Sequence, residues 1–202
     1  MTQSRFLLVC VATCAMAMAG LSCGQEGSPP PGAKGEANSI HLLSSAFLPG
    51  GPIPARYTSD GQDASPPLAW EGVPPGTKEL ALICDDPDAP QKEPWVHWVL
   101  AKIPAGAKEL NEGGWKTLDK NEDVPLVVGA KGLRVGKNDF GNKRYNGPMP
   151  PPGKVHHYFF RLYALDTQLD LKDAPTKGEL ITAMKGHILA VGELIGTYEK
   201  GR

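Results

Sequence analysis

His156, His157 and Tyr158 stand where the proline- and glycine-rich run YNGPMPPPGKV, residues 145–155, gives way to an alternating apolar stretch that ends at Asp166. Such a run disfavours both helix and central strand, so these three side chains fall at the mouth of a new strand. Titratable groups at the meeting of an irregular loop and a rigid strand are held by the scaffold yet open to solvent, which suits binding or catalysis. A plain turn followed by a core strand with two surface histidines accounts for the same letters equally well. A second polar cluster, Asp85-Asp86-Pro87-Asp88-Ala89-Pro90, directly follows the apolar ELALIC, and Trp95-Val96-His97-Trp98 opens the next apolar run. In a pleated strand Trp95 and His97 share a face. They and the loop carboxylates could meet His156 and Tyr158 only if strands 95–103 and 156–165 are neighbours, which spacing does not decide. Asp86 and Asp88 have the alternative role of capping a turn through backbone N–H groups. His97 and His156 have that of hydrogen-bonded histidines at the core edge.

The elements that must position these groups read as strands. Apolar or alternating runs at 41–47, 67–70, 79–84, 95–103, 125–128 and 156–165 are separated by turn clusters such as Pro49-Gly50-Gly51-Pro52, Asp60-Gly61 and Pro74-Pro75-Gly76. The pattern predicts a mainly β single domain, a sandwich of antiparallel sheets. Helical periodicity is confined to 176–184, a short C-terminal helix behind Pro175 whose expected apolar face is Leu180, Ile181 and Met184. Gly186 should end it, and HILAVGELIGTY, residues 187–198, reads as a terminal strand. With 202 residues, 41% of them hydrophobic, one domain can bury a sizeable core. Twenty-one basic against 22 acidic side chains leave a formal net charge of -1, so nothing marks a nucleic-acid partner or a polybasic membrane surface.

The N-terminus reads differently. Arg5, the apolar run 6–19 and the small residues up to Ser22 have the pattern of a signal peptide, residues 1–22. A transmembrane helix would want about 20 apolar residues with flanking anchors. Cys23 falls where a bacterial lipoprotein carries its lipidated cysteine, with Gly20 departing from the usual Leu; ordinary cleavage and free secretion is the alternative. Residues 23–38 then form the modified cysteine and a flexible tether rich in Gly, Pro and Ser, and 39–202 the folded domain. Of four cysteines, Cys10 and Cys14 leave with the signal and Cys84 stands alone in a strand, so no internal disulfide is expected. Cys84 reads as a small buried hydrophobe rather than a nucleophile.

Several motifs in order carry a family resemblance. DPDAP at 86–90 with WVHW at 95–98, NDFGNKRYNGPMPPPG at 138–153 with HHYFFRLYALD at 156–166, and GHILAVGELIGTYEK at 186–200 resemble signatures of the phosphatidylethanolamine-binding protein family, in its bacterial Raf-kinase-inhibitor-like branch. IPARYTSDGQDASPPLAWEGVPPGT at 53–77 is similar to the family's N-terminal segment. The resemblance implies a small pocket for a phosphate or other anionic head group, lined by Asp86, Asp88, His97, His156 and Tyr158, with Trp95 and Pro151 on its walls. The chemistry is compatible. A histidine beside a carboxylate has its charged form favoured and can donate to an anion, a tyrosine hydroxyl adds a neutral donor, and an indole face can take an ammonium group. In two places the chain departs from the family pattern. His157 replaces an Arg, which should point away from the pocket and cost a structural ion pair, and Met149 replaces a residue that is commonly Cys.

The expected function is therefore an exported, envelope-located binding protein for a phosphorylated or anionic ligand, anchored to a membrane through lipid alone and possessing no cofactor or metal, with regulation of a protein partner through the same pocket as a further role. A different class is an inhibitor of an extracytoplasmic protease or other protein, acting through a charged loop at 108–123 that carries Trp115. A metal-dependent or acid–base hydrolase is the weakest reading, because no HExxH, CxxC, nucleophile-elbow or phosphate-loop spacing occurs. His41, His157 and His187 are assigned to structure or surface, His187 to a buried hydrogen bond.

Overall fold

The computed structural model describes residues 39–113, 133–171 and 174–201. The expected signal segment, Cys23, the tether, Trp115 and the expected strand at 125–128 lie outside these residues. The described chain forms β1 (His41–Leu43), β2 (Leu68–Glu71), β3 (Glu79–Asp86), β4 (Trp95–Pro104), β5 (Glu109–Leu110), β6 (Arg134–Val135), β7 (Val155–Leu165), α1 (Lys177–Met184) and β8 (Ile188–Glu199). They make a three-stranded sheet in the order β1-β2-β5 and a five-stranded sheet in the order β6-β4-β3-β7-β8, with every neighbouring pair antiparallel.

β3 has no exposed residue because it is central and covered on both faces. On one face Leu80, Leu82 and Cys84, with Trp98, Leu100, Phe160 and Leu162 of the flanking strands, pack against Leu42, Leu68, Trp70 and Leu110 of the small sheet. On the other face Ala81, Ile83, Val99 and Ala101 meet Leu169 and the helix residues Leu180 and Met184. Two apolar faces explain why ELALIC reads as a continuous hydrophobic run where a half-solvated strand would alternate. β7, farther from the centre, keeps the alternation.

β1 is shorter than expected: the chain leaves the sheet at Ser44, whose hydroxyl donates to the Pro67 carbonyl at 2.6 Å. Helix α1 is opened by a reciprocal cap in which Thr176 accepts from the Glu179 N–H and the Glu179 carboxylate accepts from the Thr176 N–H. Its buried face is Leu180 and Met184, one helical turn apart; Ile181 is 45% exposed and does not belong to it, correcting the wider face expected. Among the described residues no helix is long and apolar enough to cross a membrane.

One irregularity decides what the sheet can do. Cys84 pairs with Trp98, but Asp85 pairs with Val96, so His97 is an extra residue on β4, a β-bulge. An unbroken pleat would set Trp95 and His97 on the face opposite Trp98. The bulge reverses the alternation, sending Val96 into the helix-side core with Val99. His97 is thereby turned to the small-sheet side, which also carries Asp86 and His156.

Candidate functional site

At the end of the sandwich, on the small-sheet side, a cleft of about 230 Å3 opens between the β3–β4 loop and the 138–151 loop. It is lined by Asp86, Ala89, Pro90, Gln91, Trp95, His97, Phe140, Met149, Pro150, Pro151 and His156. Three strands supply the polar groups: Asp86 ends β3, Trp95 and His97 begin β4, and His156 begins β7. β4 and β7 are not neighbours; β3 lies between them, and Asp86 is the bridge.

Asp86 is 3% exposed and His156 2% exposed. Oδ1 of Asp86 accepts the Asp88 N–H at 2.8 Å, and Oδ2 lies 2.7 Å from Nδ1 of His156. Asp86 thus does both things the sequence allowed, capping its own turn and orienting the histidine. With Nδ1 committed to the carboxylate, His156 has Nε2 left, and this atom is buried without a hydrogen-bond partner. The Tyr158 hydroxyl, which lies by Asp86 and the Met149 backbone, is likewise buried and makes no hydrogen bond of acceptable geometry. Burial and the Asp86 charge push the phenol well above its ordinary range, so it keeps its proton. Two orphaned polar atoms beside one cleft are unusual, since buried polar groups are nearly always paired.

His97 stands opposite, 2% exposed, edge-on to the rings of Phe140 and Tyr158 at centroid distances of 5.3 Å and 5.1 Å. Its Nδ1 is 2.7 Å from the Asn146 carbonyl, which can only accept, so Nδ1 carries the proton and Nε2 is the remaining polar atom. Burial holds its pKa below the usual histidine value, the Asn146 bond and the Asp86 charge opposing in part. The neutral ring is therefore favoured. Trp95 meets Phe140 edge to face at 5.4 Å and forms an aromatic wall.

The 138–151 loop is fixed from beneath. Asn138, 3% exposed, directs Nδ2 toward the carbonyls of His97 and Arg144 and the side-chain oxygen of Asn146. The Gly147 N–H donates to Asp63 at 2.6 Å, and the buried Tyr145 hydroxyl donates to the Tyr57 carbonyl at 2.9 Å. A Cβ on Gly147 would fall 2.3 Å from that same carbonyl, so only glycine lets the two backbones approach.

Of the residues expected at the pocket, Asp86, Trp95, His97, Pro151 and His156 line the cleft, and Tyr158 packs behind His97. Asp88 does not face it. Its carboxylate accepts the His157 N–H at 2.9 Å and lies 2.6 Å from His157 Nδ1 on the outer side of the loop. The expectation that His157 points away holds, and the histidine keeps a hydrogen-bonded partner at that position in Asp88; this hydrogen bond holds the Asp88 carboxyl below its ordinary range. His187 does hydrogen-bond, to Asp166 at 2.8 Å, but both side chains are nearly half exposed, which corrects the buried role assigned to it. Phe140 and Gln91 were missed. Phe140 sits in a run of Asn, Asp, Gly, Lys and Arg with no apolar periodicity to mark it, and Gln91 is one of many polar loop residues. Cys84 is buried and its thiol is pushed well above its usual pKa by desolvation. Among the described residues no group of three or more His, Cys, Asp or Glu side chains is placed to hold a metal ion.

Comparisons with known proteins agree with this architecture. A family model described as phosphatidylethanolamine-binding protein matches residues 43–199. A UPF0098 protein of Methanothermobacter thermautotrophicus is 48% identical over 163 residues, covering 80% of this chain and 100% of the relative, and one from Pyrococcus horikoshii is 42% identical over 167 residues, covering 82% and 80%. Among solved structures, Escherichia coli YbcL, described as a member of the mammalian family, superposes with a TM-score of 0.71 at 30% identity, covering 80% of this chain and 99% of its own. A Chlamydia trachomatis homologue gives 0.69 at 37%, covering 81% and 99%. With most of the domain matched in sequence and in fold, the chain belongs to the phosphatidylethanolamine-binding protein family.

Proposed function

We propose that this protein binds a small phosphorylated ligand, phosphoethanolamine-like in its head group, in the cleft between Asp86, His97 and His156, and that it does so without catalysing a reaction. Family membership implies binding of anions, phosphate among them, as a general property. The observation that carries the reading to this cleft is the buried, unpartnered Nε2 of His156, on a ring whose other nitrogen is held by Asp86. Once the ring takes its second proton, Nε2–H is a charged donor directed at whatever fills the cleft. The Tyr158 hydroxyl, buried beside Asp86 behind the cleft wall, keeps its proton next to this site. The Trp95 face, on the wall beside them, suits an ammonium group.

Isothermal titration of the purified protein with phosphate and phosphoethanolamine tests the reading. Saturable heat is expected, and His156→Ala should weaken binding by about tenfold to a hundredfold, the loss of one charge-assisted hydrogen bond. Silence from both compounds into the millimolar range would sink it. We further propose that the domain works in the cell envelope, exported by residues 1–22 and anchored at Cys23, which rests on the order of charge, apolar run, small residues and cysteine. A regulated protein partner is the natural extension, with the ligand-filled cleft as the surface it would read.

A further inference from the structure

Sulfur is scarce in the folded domain: residues 39–202 contain Cys84, Met149 and Met184 and no other cysteine or methionine. Cys84 is buried, and desolvation pushes its thiol well above the usual pKa, so it carries almost no thiolate, the form that oxidants attack. Met184 is 1% exposed, sealed against the sheet with Leu180 and Val99. Met149 is 52% exposed, and it lines the cleft. Its surroundings keep it there. Pro148 and Pro150 stand on either side, each with a fixed φ. The Pro148 carbonyl accepts from the Ser59 N–H at 3.0 Å and from the Ser59 hydroxyl at 2.9 Å, and the Gly147 N–H donates to Asp63 just before it. A backbone held in this way keeps the thioether on the cleft wall, half in solvent.

We propose that Met149 is a site of reversible oxidation by peroxide and that its sulfoxide disfavours anions in the cleft. One oxygen passes from hydrogen peroxide to the thioether sulfur: the O–O bond breaks, an S–O bond forms, the sulfur gives up two electrons, and the second peroxide oxygen leaves as water. A polar S–O group then stands where an apolar side chain shared the wall with Ala89, Pro90, Pro150 and Pro151. Its oxygen is a hydrogen-bond acceptor with partial negative charge. The unpartnered Nε2 of His156 is a donor when the ring is charged, so the sulfoxide offers it the kind of partner an anion would, and opposes further negative charge beside it. The effect on anions presupposes the anion-binding reading above, whereas the choice of sulfur does not. Methionine sulfoxide reductases return the thioether, which makes the change a switch and not a lesion.

Peptide mapping of the purified protein after treatment with hydrogen peroxide tests the site. Met149 should gain one oxygen at least about tenfold faster than Met184, because the buried thioether is shielded. Equal rates, or an unmodified Met149, would remove it. Phosphoethanolamine should bind the oxidised protein about fivefold more weakly than the native one, and the loss should reverse with methionine sulfoxide reductase, while a melting scan reports that the domain is folded. Met149→Leu keeps an apolar side chain of similar volume, and peroxide should leave its own affinity where it was. Unchanged affinity in the oxidised native protein, or an equal loss in Met149→Leu, would overturn the effect on the cleft. If phosphoethanolamine does not bind the native protein at all, the anion-binding reading fails on its own account and the ring resonances of His156 decide. They should move when the native protein is oxidised and stay in place in Met149→Leu; ring signals that ignore the oxidation would sink the proposal.

Discussion

At the scale of single residues, Asp86 chooses which nitrogen of His156 carries a proton. Its carboxylate can only accept, so the neutral ring keeps hydrogen on Nδ1 and presents a lone pair at Nε2. Asp86→Asn should reverse this. The amide oxygen stays on the Asp88 N–H, the amide N–H turns to His156 Nδ1, and the neutral ring then carries its proton on Nε2. Nitrogen chemical shifts of the His156 ring should show the change of tautomer, and phosphoethanolamine binding should depend less steeply on pH, by about one proton. An unchanged tautomer would show that Asp86 does not orient the ring. His97 makes a separate prediction. Its pKa in the fold lies below the ordinary histidine value of 6.5, so as pH falls the unfolded chain takes the proton first. The stability tied to this residue is complete above about pH 6.5 and declines as pH drops through the window down to its folded pKa. The melting temperature of the ligand-free protein should therefore fall from pH 7 to pH 5, and less so in His97→Gln. Equal declines in the two proteins would assign the acid sensitivity elsewhere.

At the scale of elements, the bulge in β4 and the pinned 138–151 loop do the positioning. The bulge turns His97 toward His156 across β3, and the loop supplies the carbonyl that fixes the His97 tautomer. Gly147 is the tightest point of that loop against the Tyr57–Thr58 backbone. Gly147→Ala should push the two apart, costing about 1–3 kcal/mol in urea unfolding and weakening ligand binding through displaced Asn146. Gly106→Ala is the matched control: a Cβ there meets nothing within 4 Å, and stability should stay within about 0.5 kcal/mol. Comparable losses in both variants would mean that close approach at Gly147 is not the cause. Helix α1 is held less by its own length than by contacts: besides its cap, Lys177 pairs at 2.5 Å with the buried Asp85, which also takes Arg161 at 2.9 Å.

At the scale of the whole molecule, one five-stranded sheet covered on both faces is the frame, and the cleft forms at its end, where β3, β4 and β7 begin or finish. The short strands β1, β2 and β5 complete the core without reaching the cleft. For the full chain, the proposed anchor gives a direct test. Cells making the native protein should hold it in the membrane fraction and incorporate labelled fatty acid into it, whereas Cys23→Ser should lose the label and move to the soluble fraction. An unlabelled, soluble native protein would overturn the anchor while leaving the cleft's chemistry untouched.

Much of this was legible in the residues. The β class, the strands at 79–84 and 156–165, the short helix and the terminal strand followed from apolar runs, alternation and turn residues, since those patterns reflect local backbone preferences and burial. The family motifs pointed to Asp86, His97 and His156 together, and the geometry places all three on one cleft. Asp88 escaped the same logic, because whether a loop carboxylate turns inward depends on where the next strand's N–H groups stand, and His157 offered its own. The inward turn of His97 was equally hidden: a β-bulge is defined by the partner strand's register, Cys84 against Trp98 and Asp85 against Val96, and no single strand records it. Phe140 reached the cleft only because Asn138 and Tyr145 hold its loop down from residues far away in the chain. Residue types and order thus determined which chemistry was available, and long-range pairing decided which groups face the ligand, because side-chain direction is set by register and packing between segments that the sequence keeps apart.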